Sequence, residues 1–178
     1  MKKWILILCI ILSGGGLFGC ASVGVTVNYN KDINFSQYKT YRFVQPKFRR
    51  QRRAEIKNPL FTKDVMREIR PIMENKGFVE ASSTEGADLL VHFYAMIRER
   101  RNFSPPTYRV GRWGRTWVAQ PGRVVQYKEG TLGIDIVDRR RKELIWQGVG
   151  KGVLDRQNPA KNLVQAVEKV LEPFPPLK

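Results

Sequence analysis

From Ala87 to Arg98, apolar side chains fall on every second residue. Leu89, Val91, Phe93, Ala95 and Ile97 share one parity, and Asp88, Leu90, His92 and Tyr94 share the other. A period of two belongs to a β-strand with two distinct faces, so one face of a sheet must be covered by something else. The alternation recurs elsewhere. Val23, Val25, Val27 and Tyr29 alternate with Gly24, Thr26 and Asn28, and Thr40–Val44 is aromatic and β-branched. Phe78–Glu80 is a further short strand. Val124–Asp138 and Glu143–Leu154 read as a hairpin around Arg139–Lys142, with Leu132, Ile134 and Ile136 to one side. Glycines at 130, 133, 148, 150 and 152 predict bulges or close backbone approach in these strands.

Two stretches change to a helical period. Asn58-Pro59 and Asn158-Pro159 each place a capping side chain before a first-turn proline. After the first, Val65, Ile69, Ile72 and Met73 line one face and Gly77 closes the helix. Pro71 lies within this run, so a kink or a restarted helix is expected there. After the second, Leu163, Val164, Val167, Val170 and Leu171 form a stripe opposed by Lys161, Gln165, Glu168 and Glu172, and Pro173 ends it. The order β-β-α-β-β-β-β-α, with hairpins dominating, predicts the α+β class: a mostly antiparallel sheet with two helices packed on one face. Residues 23–178 form one domain.

The start of the chain has another character. Met1-Lys2-Lys3 is followed by the apolar run Trp4–Leu12, and Ser13-Gly14-Gly15-Gly16 then interrupts any helix. Leu17-Phe18-Gly19-Cys20 resembles the bacterial lipobox. The resemblance implies a signal peptide over 1–19, cleavage before Cys20, a diacylglycerol on the Cys20 sulfur and an N-acyl chain such as palmitate on its amine. Residues 20–22 become a short tether. Ala21, by analogy with sorting in enteric bacteria, implies the outer membrane, with the domain facing the periplasm. An uncleaved anchor over Trp4–Phe18 fits less well, because a span needs about 20 apolar residues without such an interruption. Two or three acyl chains hold a protein on a membrane where one does not.

With Cys9 removed and Cys20 a thioether, the mature domain has no thiol. It then has no disulfide, no Cys nucleophile and no thiolate metal site. The fold must rest on its core. No cofactor is expected beyond the covalent lipid.

The chain carries 32 Lys+Arg against 16 Asp+Glu, and losing Lys2 and Lys3 leaves 30 against 16, or +14. Three segments hold all of it: Pro46–Lys57 with Arg49, Arg50, Arg52 and Arg53 (+5), Arg98–Trp117 (+5) and Arg139–Lys142 (+4). All three read as connections. A basic protein invites a nucleic-acid reading, but an exported lipoprotein meets little DNA or RNA. Lipid headgroups, lipopolysaccharide phosphates and cell-wall glycans are the polyanions within reach. Solvated, solubilising loops would carry the same charge.

Several pieces together resemble the bacterial lipoprotein family called domain of unknown function 4136. They are Val25–Tyr29, Phe35–Tyr41 with Phe43, Lys76-Gly77-Phe78, Ala87–Val91, Gly130–Asp138, Ile145–Gly148 and Phe174-Pro175-Pro176. The resemblance runs from about Val23 to the C-terminus. It implies an exported, lipid-anchored protein with no assigned activity and adds no catalytic residue. The arginine-rich segments lie outside the shared pattern.

Site candidates are few. His92 is the single imidazole, placed mid-strand beside Asp88 and Tyr94, and reads as structural because a metal needs three or more ligands. Asp135 and Asp138 could join Asp88 or Glu143 as acid and base, but their odd spacing puts them on opposite faces of a strand. Gly148-x-Gly150-x-Gly152 lacks the strand-to-helix setting of a phosphate loop. A hydrolase is therefore a distant reading, and a non-enzymatic protein the leading one. The best candidate is Arg98–Trp117, where Arg98, Arg100, Arg101, Arg109, Arg112 and Arg115 interleave with Phe103, Tyr108, Trp113 and Trp117. Arginine grips phosphate with two parallel bonds, and Tyr or Trp suits a headgroup level or a sugar face. The expected partner is an anionic envelope component, or alternatively an envelope protein docked on the sheet edge or on Trp113 and Trp117. The competing outcome is a long loop whose aromatics fold back onto the sheet.

Overall fold

The computed structural model describes residues 23–44, 58–155 and 157–176. Eight strands and two helices follow one another: β1 (Gly24–Tyr29), β2 (Thr40–Phe43), α1 (Pro59–Asn75), β3 (Val79–Glu80), β4 (Leu89–Ser104), β5 (Thr107–Val110), β6 (Thr116–Gln120), β7 (Arg123–Asp138), β8 (Glu143–Val153) and α2 (Pro159–Leu171). Six strands make the main sheet in the order β1-β8-β7-β4-β2-β3, and β5 pairs with β6 separately. Pairing is antiparallel except at β2, which runs parallel to both β4 and β3. The α+β architecture expected from the residue pattern is the one formed.

One sheet face is the core. Cross-strand partners share a face, so the register Val91↔Ile136, Phe93↔Ile134 and Ala95↔Leu132 aligns the two apolar series side by side. All six are buried. Against them lie Val65, Ile69 and Met73 from α1 and Val167, Val170 and Leu171 from α2. Among the described residues the buried core side chains run from Ile33 to Phe174, with half-buried Val25 and Val27 packed against them.

Both helices start as their caps dictate. Asn58 Oδ1 accepts from the Leu60 N–H at 2.9 Å, and Asn158 Oδ1 from the Lys161 N–H at 3.1 Å. α1 runs through Pro71 as one element, so no restart occurs. Its buried positions (65, 69 and 73) recur every four residues on both sides of the proline, and their burial holds the helix together there.

Gly148 and Gly150 give α2 its close seat on β8. A Cβ at either would lie 2.8 or 2.7 Å from a Val170 methyl, so the helix rests on bare backbone. Near the turn, the β7–β8 register shifts between Ile136 and Val137, leaving Ile145 as the extra residue. The bulge lets Ile145 and Trp146 both be fully buried. Phe174 closes the far end among Phe35, Phe78 and Trp146, with ring centroids 5.9, 5.4 and 5.2 Å away.

Candidate functional site

β4 and β7 are each 16 residues long and pair without a break from Leu89↔Asp138 to Ser104↔Arg123. Their neighbours stop sooner. β2 ends opposite Val91 and β8 ends opposite Glu129. Beyond that point, among the described residues, the two strands continue alone as a ribbon. At a rise of about 3.3 Å per residue, Arg98–Ser104 projects roughly 23 Å past the sheet. Pro105-Pro106 on one side and Pro121-Gly122 on the other then hand over to the β5–β6 hairpin. At its tip the Gly111 N–H donates to the Arg115 carbonyl at 2.9 Å, and Gly114 takes φ 71°.

The structure corrects the reading of Arg98–Trp117 as a loop. Arg98–Ser104 pairs with Arg123–Glu129 and Thr107–Val110 with Thr116–Gln120, so most of it is strand, and its aromatics do not fold back onto the sheet. Trp113 is 89% exposed, Phe103 62%, Tyr108 59% and Trp117 52%. Arg98, Arg100 and Arg101 stand on the distal half of β4, Tyr108 and Arg109 on β5, Trp117 on β6, and Arg112, Trp113 and Arg115 at the tip turn. Arg109 and Trp117 are cross-strand partners. The Trp117 ring lies over Gly111, and the Phe103 ring over Gly122. Among the described residues, Arg100 alone of these arginines has a carboxylate partner, with two bonds of 3.2 and 3.0 Å to Glu129 Oε1. At the surface such a pair adds about 0–1 kcal/mol.

The residue-by-residue reading missed Arg123, Val124, Val125, Tyr127 and Lys128 as part of this feature. Between Arg98 and Lys128 eight basic residues face one acid, Glu99, a net +7. Exposed Val110, Val118, Val124 and Val125 lie between the charges. The signal was a length mismatch, because a strand over 124–138 overhangs its partner at 143–154.

The other two basic segments differ. Arg49, Arg50, Arg52 and Arg53 lie outside the described residues, as does Cys20 with the signal segment. Arg139–Lys142 is a turn tied to the sheet. Asp138 Oδ1 accepts from the Arg140 and Arg141 N–H groups at 2.8 and 3.0 Å, and Oδ2 from the Tyr38 hydroxyl at 2.8 Å. Arg139 donates to the Ala87 carbonyl.

The carboxylates considered for acid–base work have such structural duties. Burial pushes Asp138 up, but donors from Arg141, Tyr38 and Arg140 outweigh it, and the carboxyl sits below its usual range. Burial and that same carboxylate push Tyr38 up to about 12. The Lys39 N–H, with the Thr40 N–H and hydroxyl, holds Asp88 low against the effect of burial. Asp88 thereby pins the start of β2 to the start of β4.

On the sheet face away from α1 and α2, His92 lies opposite Asp135, with Nδ1 3.5 Å from Oδ2, and it stacks on Tyr94. Gln147 Nε2 donates to Asp135 Oδ1 at 2.7 Å. Asp135 and Asp138 do face opposite ways. Among the described residues no group of three or more His, Cys, Asp or Glu is placed to hold a metal.

Residues 25–176 match the model of a family described as Domain of unknown function (DUF4136). No curated protein matches the chain. Among solved structures it is similar to a PDZ domain protein from Parabacteroides distasonis, with a TM-score of 0.59, 15% identity, and coverage of 88% of this chain and 36% of that one. A PelC dodecamer from Paraburkholderia phytofirmans gives 0.51 at 10% identity, covering 88% and 100%. A DUF4136 family protein from Bacteroides thetaiotaomicron gives 0.50 at 14%, covering 86% and 96%. At these identities the likeness is one of fold.

Proposed function

The chain belongs to the DUF4136 family, and on that premise we propose that it is a non-enzymatic lipoprotein of the outer membrane, anchored through Cys20. Its domain faces the periplasm, and its ribbon contacts anionic envelope components: lipid headgroups, lipopolysaccharide or glycan. One observation carries this reading. The start of β1 and the root of the ribbon lie at the same end of the sheet. Gly24, the first residue of β1, pairs with Lys151, which also pairs with Thr131, next to the point where β4 and β7 run on alone.

From Val23 back to Cys20 the chain reaches at most about 11 Å. The ribbon is about twice that length before its tip begins, so a bilayer that holds Cys20 lies within the ribbon's reach. Trp113 stands between Arg112 and Arg115 at the tip, the pairing of interfacial ring and phosphate-binding cation that suits a headgroup layer. Each basic residue near an anionic surface contributes about 1 kcal/mol.

The test uses protein lacking residues 1–19 and carrying Cys20→Ser, mixed with anionic or neutral vesicles. Binding to anionic vesicles at low salt, lost near ~0.5 M salt where charges are screened, is the expected result. Combined substitution of Arg112, Trp113 and Arg115 by Ala should abolish most of it. Equal binding to neutral vesicles, or none to either, sinks the reading.

A second reading, a subunit of an envelope assembly, is favoured by the ribbon's two unpaired outer edges and its exposed valines, which offer strand addition. Crosslinking in membranes should then yield one stoichiometric protein partner that survives high salt.

A further inference from the structure

The sheet end where β1 begins and the ribbon is rooted also holds a half-open cavity of about 480 Å³, lined by the sheet and the first turns of both helices. That volume falls in the range of small-molecule sites, roughly 300–1,000 Å³. Ala95, Ile97 and Leu132 form part of its floor, with Phe61, Leu163 and Ala166 from the helices above. Gly130, Gly150 and Gly152 also line it. Asp64, Lys128, Thr131, Asp155, Asn162 and Gln165 supply its polar groups, and most of its lining surface is apolar. Such a lining suits hydrocarbon and offers little to a charged ligand.

Val23 lines this cavity as well, with Cγ1 3.3 Å from where a Cβ on Gly150 would sit. The lipid-modified position proposed above is three residues upstream. We infer that the cavity receives one of the acyl chains carried by Cys20; the inference rests on the lipid-anchor reading. A tether of at most about 11 Å keeps the chain near the cavity, and an intramolecular ligand acts at high effective concentration. Methylenes gain from burial in the cavity as they do in a bilayer, so one chain can exchange between the two. Because stable anchoring takes two chains or more, a chain withdrawn into the protein loosens its hold on the membrane. A free fatty acid or a phospholipid chain would fit the same lining, and the experiment separates them.

Cells supplied with a diazirine palmitate would label the full-length protein, which is then irradiated in its own membrane and mapped by peptide mass. The expected products are crosslinks within the chain, from the Cys20 peptide to Val153-Leu154 or Leu163–Ala166. Ala166→Trp, which fills the cavity, should lower that yield several-fold without changing acylation; if it does not fold, Leu163→Trp replaces it. Crosslinks confined to phospholipid, or a yield that a folded cavity-filling variant leaves unchanged, overturn the cavity assignment and leave the anchor standing. Protein without label on Cys20 overturns the anchor, and the inference with it.

Discussion

Leu89–Ile97 and Arg98–Ser104 belong to one strand, share one partner and keep one register, yet their surroundings are opposite. The first half is flanked by further strands and roofed by two helices, and its side chains from Val91 to Met96 are buried. The second has only its partner strand, and its residues are exposed except for half-buried Ser104. Backbone pairing therefore fixes conformation over the whole length, while burial is decided by what else reaches that point. A lone two-stranded ribbon is marginal in water. This one is held at its root by a sheet and left bare at its end, which separates the part that supports the fold from the part free to bind.

The comparison can be broken by substitution, beginning with the root. Phe93→Ala opens a cavity between sheet and helices and should cost about 3–5 kcal/mol, read as a lower urea midpoint. A loss below 1 kcal/mol would mean that the root is not the supporting half. Gly133→Ala comes next. Its Cβ would lie 2.2 Å from Tyr94 Cζ, so the ring must move, at about 1–3 kcal/mol in thermal unfolding.

Asp138→Asn sharpens the picture at the root's far end. A carboxyl held low in the folded state stabilises above its unfolded pKa, and that contribution fades as pH falls through the folded value. The variant should be less stable by about 1–2 kcal/mol at pH 7, and the gap to the parent should narrow below pH ~4. A gap that widens in acid contradicts the assignment. The smallest change belongs to the ribbon: replacing Glu99–Lys128 by an Asn-Gly turn should shift stability by no more than ~0.5 kcal/mol. The same replacement should remove binding to anionic vesicles. A collapse of the fold on shortening would erase the distinction.

Much of this was legible in local pattern. The alternation from Leu89 to Ile97, the Asn-Pro helix starts and the close approach at Gly148 and Gly150 each depend on residues near in sequence. Strand order was not, because β8 lying between β1 and β7 is a matter of distant pairing. The ribbon was hidden for a related reason. Arg98–Ser104 is too polar to announce a strand, and only the overhanging Arg123–Lys128 makes it one. His92 was legible as a mid-strand residue, but its partner Asp135 is set by register across two strands.

The unbroken register from Leu89 to Ser104, with Tyr94 lying across Gly133, limits how this molecule can change its reach. A hairpin lengthens or shortens at its tip. Adding two residues to each strand moves the arginines and tryptophans about 7 Å outward and returns each to its original side. Adding one to each turns the whole cluster over. Reach is thus adjustable in discrete steps, and insertions or deletions there leave every contact of the interior untouched.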